Sequence, residues 1–197
     1  MARTAPSGFH WSAGHGSHRP AGHRPAEDRH PMYDTARAAT LFAATLATGL
    51  IAGLFFAFSI AVMPGLRQTD DATFVAAMQR INSAILNGWF ALAFVGAPLL
   101  IAATTALHLR TGTRAALPWL TAALVLYVVM LAITFAVNVP LNNTLDAAHT
   151  QLPALRAHFE DKWVRWNLVR TLTTTAALAC LIRGVLGYSS VSSAGSS

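Results

Sequence analysis

The chain has 197 residues, of which 54% are hydrophobic and only 11% charged, against roughly 25% charged in ordinary soluble domains. Its net charge is +6, yet the arginines are scattered over tails and loops, with no basic stripe and no interleaved aromatics. That excludes nucleic acid as a natural partner, and it leaves an all-α integral membrane protein as the class the composition fits.

Residues 1–34 are rich in Gly, Pro, His and Arg and lack apolar periodicity, so they read as a disordered N-terminal tail. No apolar stretch of signal-peptide type lies within them. His10, His15, His18, His23 and His30 are irregularly spaced and accompanied by no Cys or carboxylate set, so no metal site is expected. Met32 stands just ahead of the first apolar run and is an alternative to Met1 as the start. Residues 35–188 carry four runs long enough to cross a bilayer, at about 38–63, 88–109, 115–139 and 166–187. Residues 189–197, rich in Ser and Gly, read as a second loose tail.

The first run places Thr45, Gly49, Gly53 and Ala57 at a spacing of four. Such a stripe lets helix backbones approach closely, within the chain or between two copies, so a homo-oligomer through Gly49 and Gly53 is an expectation. After Pro64, Asp70 and Asp71 form a sound helix start. Phe74, Met78, Ile81 and Ile85 then follow at helical spacing. This first loop therefore reads as an amphipathic helix on the membrane surface. In the second run Pro98 frees the carbonyl of Phe94 and predicts a kink. The middle loop holds Arg110 and Arg114, and basic residues lean toward the side of the two tails. That places both termini in the cytoplasm. The third loop repeats the plan of the first: Pro153 opens a helix with Leu155, Phe159 and Trp163 at spacing four. Pro140 lies 76 positions after Pro64, and Arg156 lies 76 after Arg80, as in a duplicated two-span hairpin. The expected fold is a four-helix membrane bundle with amphipathic helices in the first and third loops.

Two polar stretches bracket that third loop. Helical phase puts Trp163, Asn167, Arg170 and Thr174 on one face, and Tyr127, Thr134 and Asn138 on another. Antiparallel packing of the third and fourth spans brings Asn138, Asn142, Asn167 and Arg170 to similar depth, with Trp163 and Trp166 around them. In a structural reading these groups satisfy one another and the tryptophans form an interfacial belt. In a functional reading Arg170 faces a cavity and holds an anion or a polarised oxygen, because no acid within a span is available to pair it. Other chemistries fall away. Cys180 is alone, so no disulfide or Cys-x-x-Cys pair exists. His108 is the only histidine within a span, too few for a haem bridging two helices. No in-span Asp or Glu marks a proton-coupled transporter.

The stretches Gly53-Leu-Phe-Phe-Ala-Phe-Ser59, Val62-Met-Pro64, Met78-Gln-Arg-Ile-Asn82, Asn138-Val-Pro-Leu-Asn142 and Trp163-Val-Arg-Trp-Asn-Leu-Val-Arg170 together resemble the anthrone oxygenase-like family of small four-span membrane proteins. The resemblance covers roughly residues 38–186. It implies a cofactor-independent oxygenase that turns a hydrophobic anthrone or polyketide-like substrate into a quinone. Most bacterial relatives have no assigned substrate. On that basis Arg170, Asn167 and Asn138 are the candidates for stabilising an enolate. Asn142, Trp163, Trp166 and Tyr127 are candidates for contacting substrate, and Tyr127 or His158 for accepting a proton. The alternative is a non-catalytic membrane protein that binds a lipid or small molecule, or steadies a partner.

Overall fold

The structure, a computed structural model, describes residue 1 and residues 31–109, 114–147 and 150–194. The five tail histidines, Arg110 and residues 195–197 lie outside the described residues. Among these, every regular element is helical. In chain order they are α1 (Pro31–Ala57), a π-helical turn (Phe58–Val62), α2 (Met63–Arg67), α3 (Asp71–Ile85) and α4 (Gly88–Leu109). A 3₁₀ turn (Arg114–Ala116), α5 (Leu117–Ile133), a second π-helical turn (Thr134–Asn138), α6 (Val139–Ala147) and α7 (Leu152–Ala194) complete the chain. Four stretches are long and apolar enough to cross a membrane: Met32–Arg67, Gly88–Leu109, Leu117–Ala147 and Leu152–Leu186. The protein is an integral membrane helical bundle. α1 packs against α4 and α7, and α5 packs against the same two, so the four spans form a closed square.

Both π turns have the same cause. Pro64 and Pro140 lack an N–H and crowd the carbonyl four residues back. The residue before each proline bonds instead one position further: Met63 N–H donates to Phe58 O, and Val139 N–H to Thr134 O. A single wide turn absorbs the strain without breaking the span. The two π turns start 76 positions apart, like the prolines that produce them. The hairpin duplication read from the sequence thus extends to backbone geometry. Arg80 and Arg156 share that offset but not their surroundings, since Arg80 is exposed and Arg156 largely buried.

Pro98 lies inside α4, and the carbonyl it frees is claimed by a side chain: Tyr127 Oη donates to Phe94 O at 3.0 Å. Tyr127 is fully buried among Ala97, Ala123 and Met130 in the core of the bundle. α5 and α7 approach closely at Gly184, where a Cβ would meet Leu120 at 3.3 Å. At Gly49 a Cβ would meet Leu178 of the same chain at an ordinary 3.8 Å, and at Gly53 nothing within 4 Å. The close approach between spans is therefore at Gly184, not at the glycine stripe of the first span.

A second apolar core lies beyond the bundle, where α3 folds over the ends of the spans. Phe74 and Met78 of α3 are fully buried against Leu145, Phe159 and Trp163, as their helical spacing requires. Asp70 caps α3 by accepting from the Thr73 amide at 3.0 Å and its hydroxyl at 2.6 Å, which holds the exposed carboxyl below its usual range. The amphipathic stretch of the third loop is continuous with the fourth span. α7 has 43 residues, roughly 64 Å at the helical rise, about twice the hydrocarbon thickness of a bilayer. Its backbone stays helical to Ala194, within the Ser-rich stretch, because no glycine or proline falls between Gly187 and Gly195. Near its start, Arg156 ties α7 to the first hairpin. It bonds Glu160 (2.8 Å), Asp71 (3.0 Å), and the carbonyls of Thr69 and Arg67 (both 2.8 Å). Its guanidinium also lies 4.5 Å from the Phe74 ring centre. Arg67 completes the network through Glu160 (2.6 Å) and Asp161 (3.1 Å).

Two substitutions test these ties. Tyr127→Phe leaves the Phe94 carbonyl unbonded and is expected to cost about 1 kcal/mol of stability. Arg156→Ala is expected to cost about 2 kcal/mol. Thermal unfolding in detergent micelles, followed by circular dichroism, reads both.

Candidate functional site

Arg170 is only 6% exposed and sits inside the bundle with no acid beside it. Glu160 and Asp161 are committed to Arg67 and Arg156 further along α7. The guanidinium is held instead by one amide and two aromatic faces. Arg170 Nη2 donates to Asn167 Oδ1 at 2.8 Å, one turn earlier on α7. The charge lies 4.3 Å from the Phe55 ring centre and 5.4 Å from that of Trp163, within cation–π range. Asn167 is in turn fixed from the other side. Its Nδ2 donates to Phe55 O (3.0 Å) and to Ser59 Oγ (2.9 Å) across the interface with the first span. Every polar position of the Asn167 amide that faces a partner is thus in use, and the hydroxyl of Ser59 reaches it from the first π turn.

Two buried atoms remain unpaired beside this arrangement among the described residues: Arg170 Nε, a donor, and Asn138 Oδ1, an acceptor. Both residues line one cavity of about 150 Å³. Asn138 belongs to the second π turn and makes only a long 3.5 Å bond, to Trp163 O. Asn142 lines the same cavity and accepts from Trp163 Nε1 at 2.9 Å, which fixes the indole plane. The rest of the wall is apolar and largely aromatic: Phe55, Phe58, Phe90, Phe94 and Phe135, with Thr134. The end of α3 closes it with Ile81, Asn82 and Ile85. Asn82 is steadied by Asp146 on α6 at 3.3 Å.

Of the seven residues singled out from sequence, Arg170, Asn138, Asn142 and Trp163 line this cavity together. Asn167 does not line it and acts by positioning Arg170. Tyr127 does not line it; its hydroxyl donates to the carbonyl that Pro98 frees. Trp166 points outward at 37% exposure, since it lies about a fifth of a turn off the face that carries Trp163. His158 is exposed and away from the cavity. The aromatic wall and Asn82 were missed, because Phe residues in a membrane helix carry no signal that separates a cavity wall from a core.

The anthrone oxygenase family model matches residues 88–180, from the start of α4 into the last span. Over that stretch the chain is similar to the anthrone oxygenase family. The matched stretch contains Asn138, Asn142, Trp163, Asn167 and Arg170, whereas Phe55, Ser59 and Asn82 come from the preceding hairpin. No curated protein and no solved structure matches the chain. Among the described residues there is no group of three or more His, Cys, Asp or Glu side chains able to hold a metal.

The positions of Arg170 and Asn167 make different demands on the fold. Arg170→Met removes a cation that has no counter-ion, so stability should change by less than about 1 kcal/mol. Asn167→Ala strands the guanidinium and should cost about 2–3 kcal/mol. If instead Arg170→Met proves the more damaging in a thermal melt, the cation is a structural strut and not a site group.

Proposed function

We propose that the protein is a cofactor-independent oxygenase acting on a hydrophobic aromatic or polyketide-like ketone, seated in the cavity beside Arg170. The observation that carries this reading is the pairing of two unsatisfied buried atoms of opposite kind, Arg170 Nε and Asn138 Oδ1, in the wall of one aromatic cavity. A ketone that enolises presents an oxygen acceptor to the first and, as the enol, a hydrogen-bond donor to the second. A fixed guanidinium in a medium that excludes water stabilises the negative charge that gathers on that oxygen as the enolate forms. Asn167 keeps the cation from turning away, and the stacked aromatic walls favour a flat ligand. In an anthrone the ring methylene loses two C–H bonds and gains one C=O. One atom of O₂ becomes the new carbonyl oxygen, and the other leaves as water with the two hydrogens.

A second reading has its own support. Arg170 is the one titratable side chain in the described wall, so no proton acceptor stands ready beside it, and a protein that binds such a molecule without converting it would need none. Under either reading we place the chain in a bacterial plasma membrane with both termini cytoplasmic, which puts the cavity in the outer half of the bilayer.

Oxygen uptake by purified protein in liposomes supplied with an anthrone separates the two. The oxygenase reading expects uptake well above that of protein-free liposomes. It also expects a loss of about 100-fold or more in Arg170→Met with the fold retained. Uptake no faster than the protein-free control across several anthrones sinks the oxygenase and leaves the binding protein.

A further inference from the structure

The cavity has a mouth, and it faces sideways. Two of its lining residues are also among the exposed ones: Leu86 at 79% and Phe135 at 62%. Phe135 lies within the third span, so the medium it meets is lipid. Leu86 belongs to the short break between α3 and α4, next to Trp89, which is 83% exposed and marks the membrane interface. Across the opening runs a chain of three rings. Phe90 stacks on Phe94 with centroids 5.0 Å apart, and Phe94 meets Phe135 edge-on at 6.3 Å.

The backbone around this opening is fixed at two points. At its inner end α4 is pinned to α5 by the Tyr127 bond to Phe94 O. At its outer end the chain leaves helical geometry at Leu86, and Asn87 restarts it by accepting from Phe90 N–H at 3.0 Å. The stretch 88–94 spans the gap as a short strut. A dry apolar cavity of about 150 Å³ accommodates one benzene ring. The cavity here is of that size, so a fused three-ring ligand enters only if the mouth yields or if part of it stays between Leu86 and Phe135.

We propose that Leu86, Phe90 and Phe135 form a lateral portal through which a flat aromatic ligand dissolved in the membrane reaches Arg170, and that they set the width of ligand admitted. This rests on reading the cavity as the binding site, though not on the oxygenase chemistry. An exposed phenylalanine within a span and an exposed leucine just outside one offer no barrier to an apolar ring and a strong one to a charged solute.

The test uses the full chain in phosphatidylcholine liposomes, in a background where the other tryptophans are Phe and only Trp163 remains. The probe is anthraquinone, a flat three-ring molecule that cannot be oxygenated at its ring carbonyls. It is delivered either pre-dissolved in vesicle membranes or, as its water-soluble disulfonate, from solution. The portal predicts saturable quenching of Trp163 by the membrane-borne probe and none by the disulfonate. It also predicts that Phe135→Ala speeds association by about threefold or more, that Leu86→Phe slows it by a similar factor, and that Phe42→Ala, exposed elsewhere on α1, changes nothing. All three positions are exposed, so the variants are expected to fold. Saturable quenching whose rate ignores both mouth variants, or equal quenching by the disulfonate, overturns the portal and leaves the binding site standing. Absence of saturable quenching overturns both. Portal behaviour without oxygen uptake on an anthrone retains the route and removes the oxygenase.

Discussion

The bond from Arg170 to Asn167 is the interaction on which the site depends. A guanidinium within a bilayer normally finds an acid, reaches water or is absent. Here it is retained with one amide oxygen and two ring faces, and that amide is itself held by a backbone carbonyl and a hydroxyl of the first span. The arrangement orients the cation without neutralising it. An acid in place of Asn167 would hold Arg170 more tightly but would cancel the field that an anionic or enolic ligand meets. A partner that is polar yet neutral is what a cation needs in order to stay available.

Helix geometry does the rest. The two prolines that follow the first and third spans do not break them; each widens one turn, and both wide turns lie against the cavity. The first carries Phe58 and Ser59, the second Thr134, Phe135 and Asn138. A regular helix would turn these side chains by a different angle beyond the insertion, and the ring of aromatic and amide groups would not close. The same economy appears at Pro98, whose freed carbonyl becomes the anchor for Tyr127 and thereby joins α4 to α5 at the inner edge of the opening.

The class of fold was legible in the chain because it follows from composition and run length: four apolar stretches, a helix start at Asp70, and Phe74 and Met78 at a spacing that buries them together. The polar half of the site was legible for a similar reason. Asn138, Asn142, Trp163 and Arg170 are rare residue types at membrane depth, so each stands out. Tyr127 and Asn167 lie outside the cavity wall for reasons that spacing does not encode. Tyr127 shares a face with Asn138 by helical count, but the π turn between them shifts the phase, and Pro98 on another helix provides the tyrosine with a closer acceptor. Asn167 shares a face with Arg170 by helical count, yet its amide is taken up by three partners, two of them on a span more than a hundred positions away. Phe55, Phe90 and Phe135 could not be told from packing residues without knowing where space is left.

The near repetition of the two hairpins has a consequence for how the molecule divides its labour. The positions 76 apart that border the cavity do not match in kind: Phe58 corresponds to Thr134, and Phe94 occupies the place in the first half that Arg170 holds in the second. The first half contributes mostly apolar wall and one amide, Asn82; the second contributes the charge and the amides of Asn138 and Asn142. A twofold-symmetric container would offer its guest two equivalent orientations. This one has its charge at a single pole, so its two ends are not interchangeable.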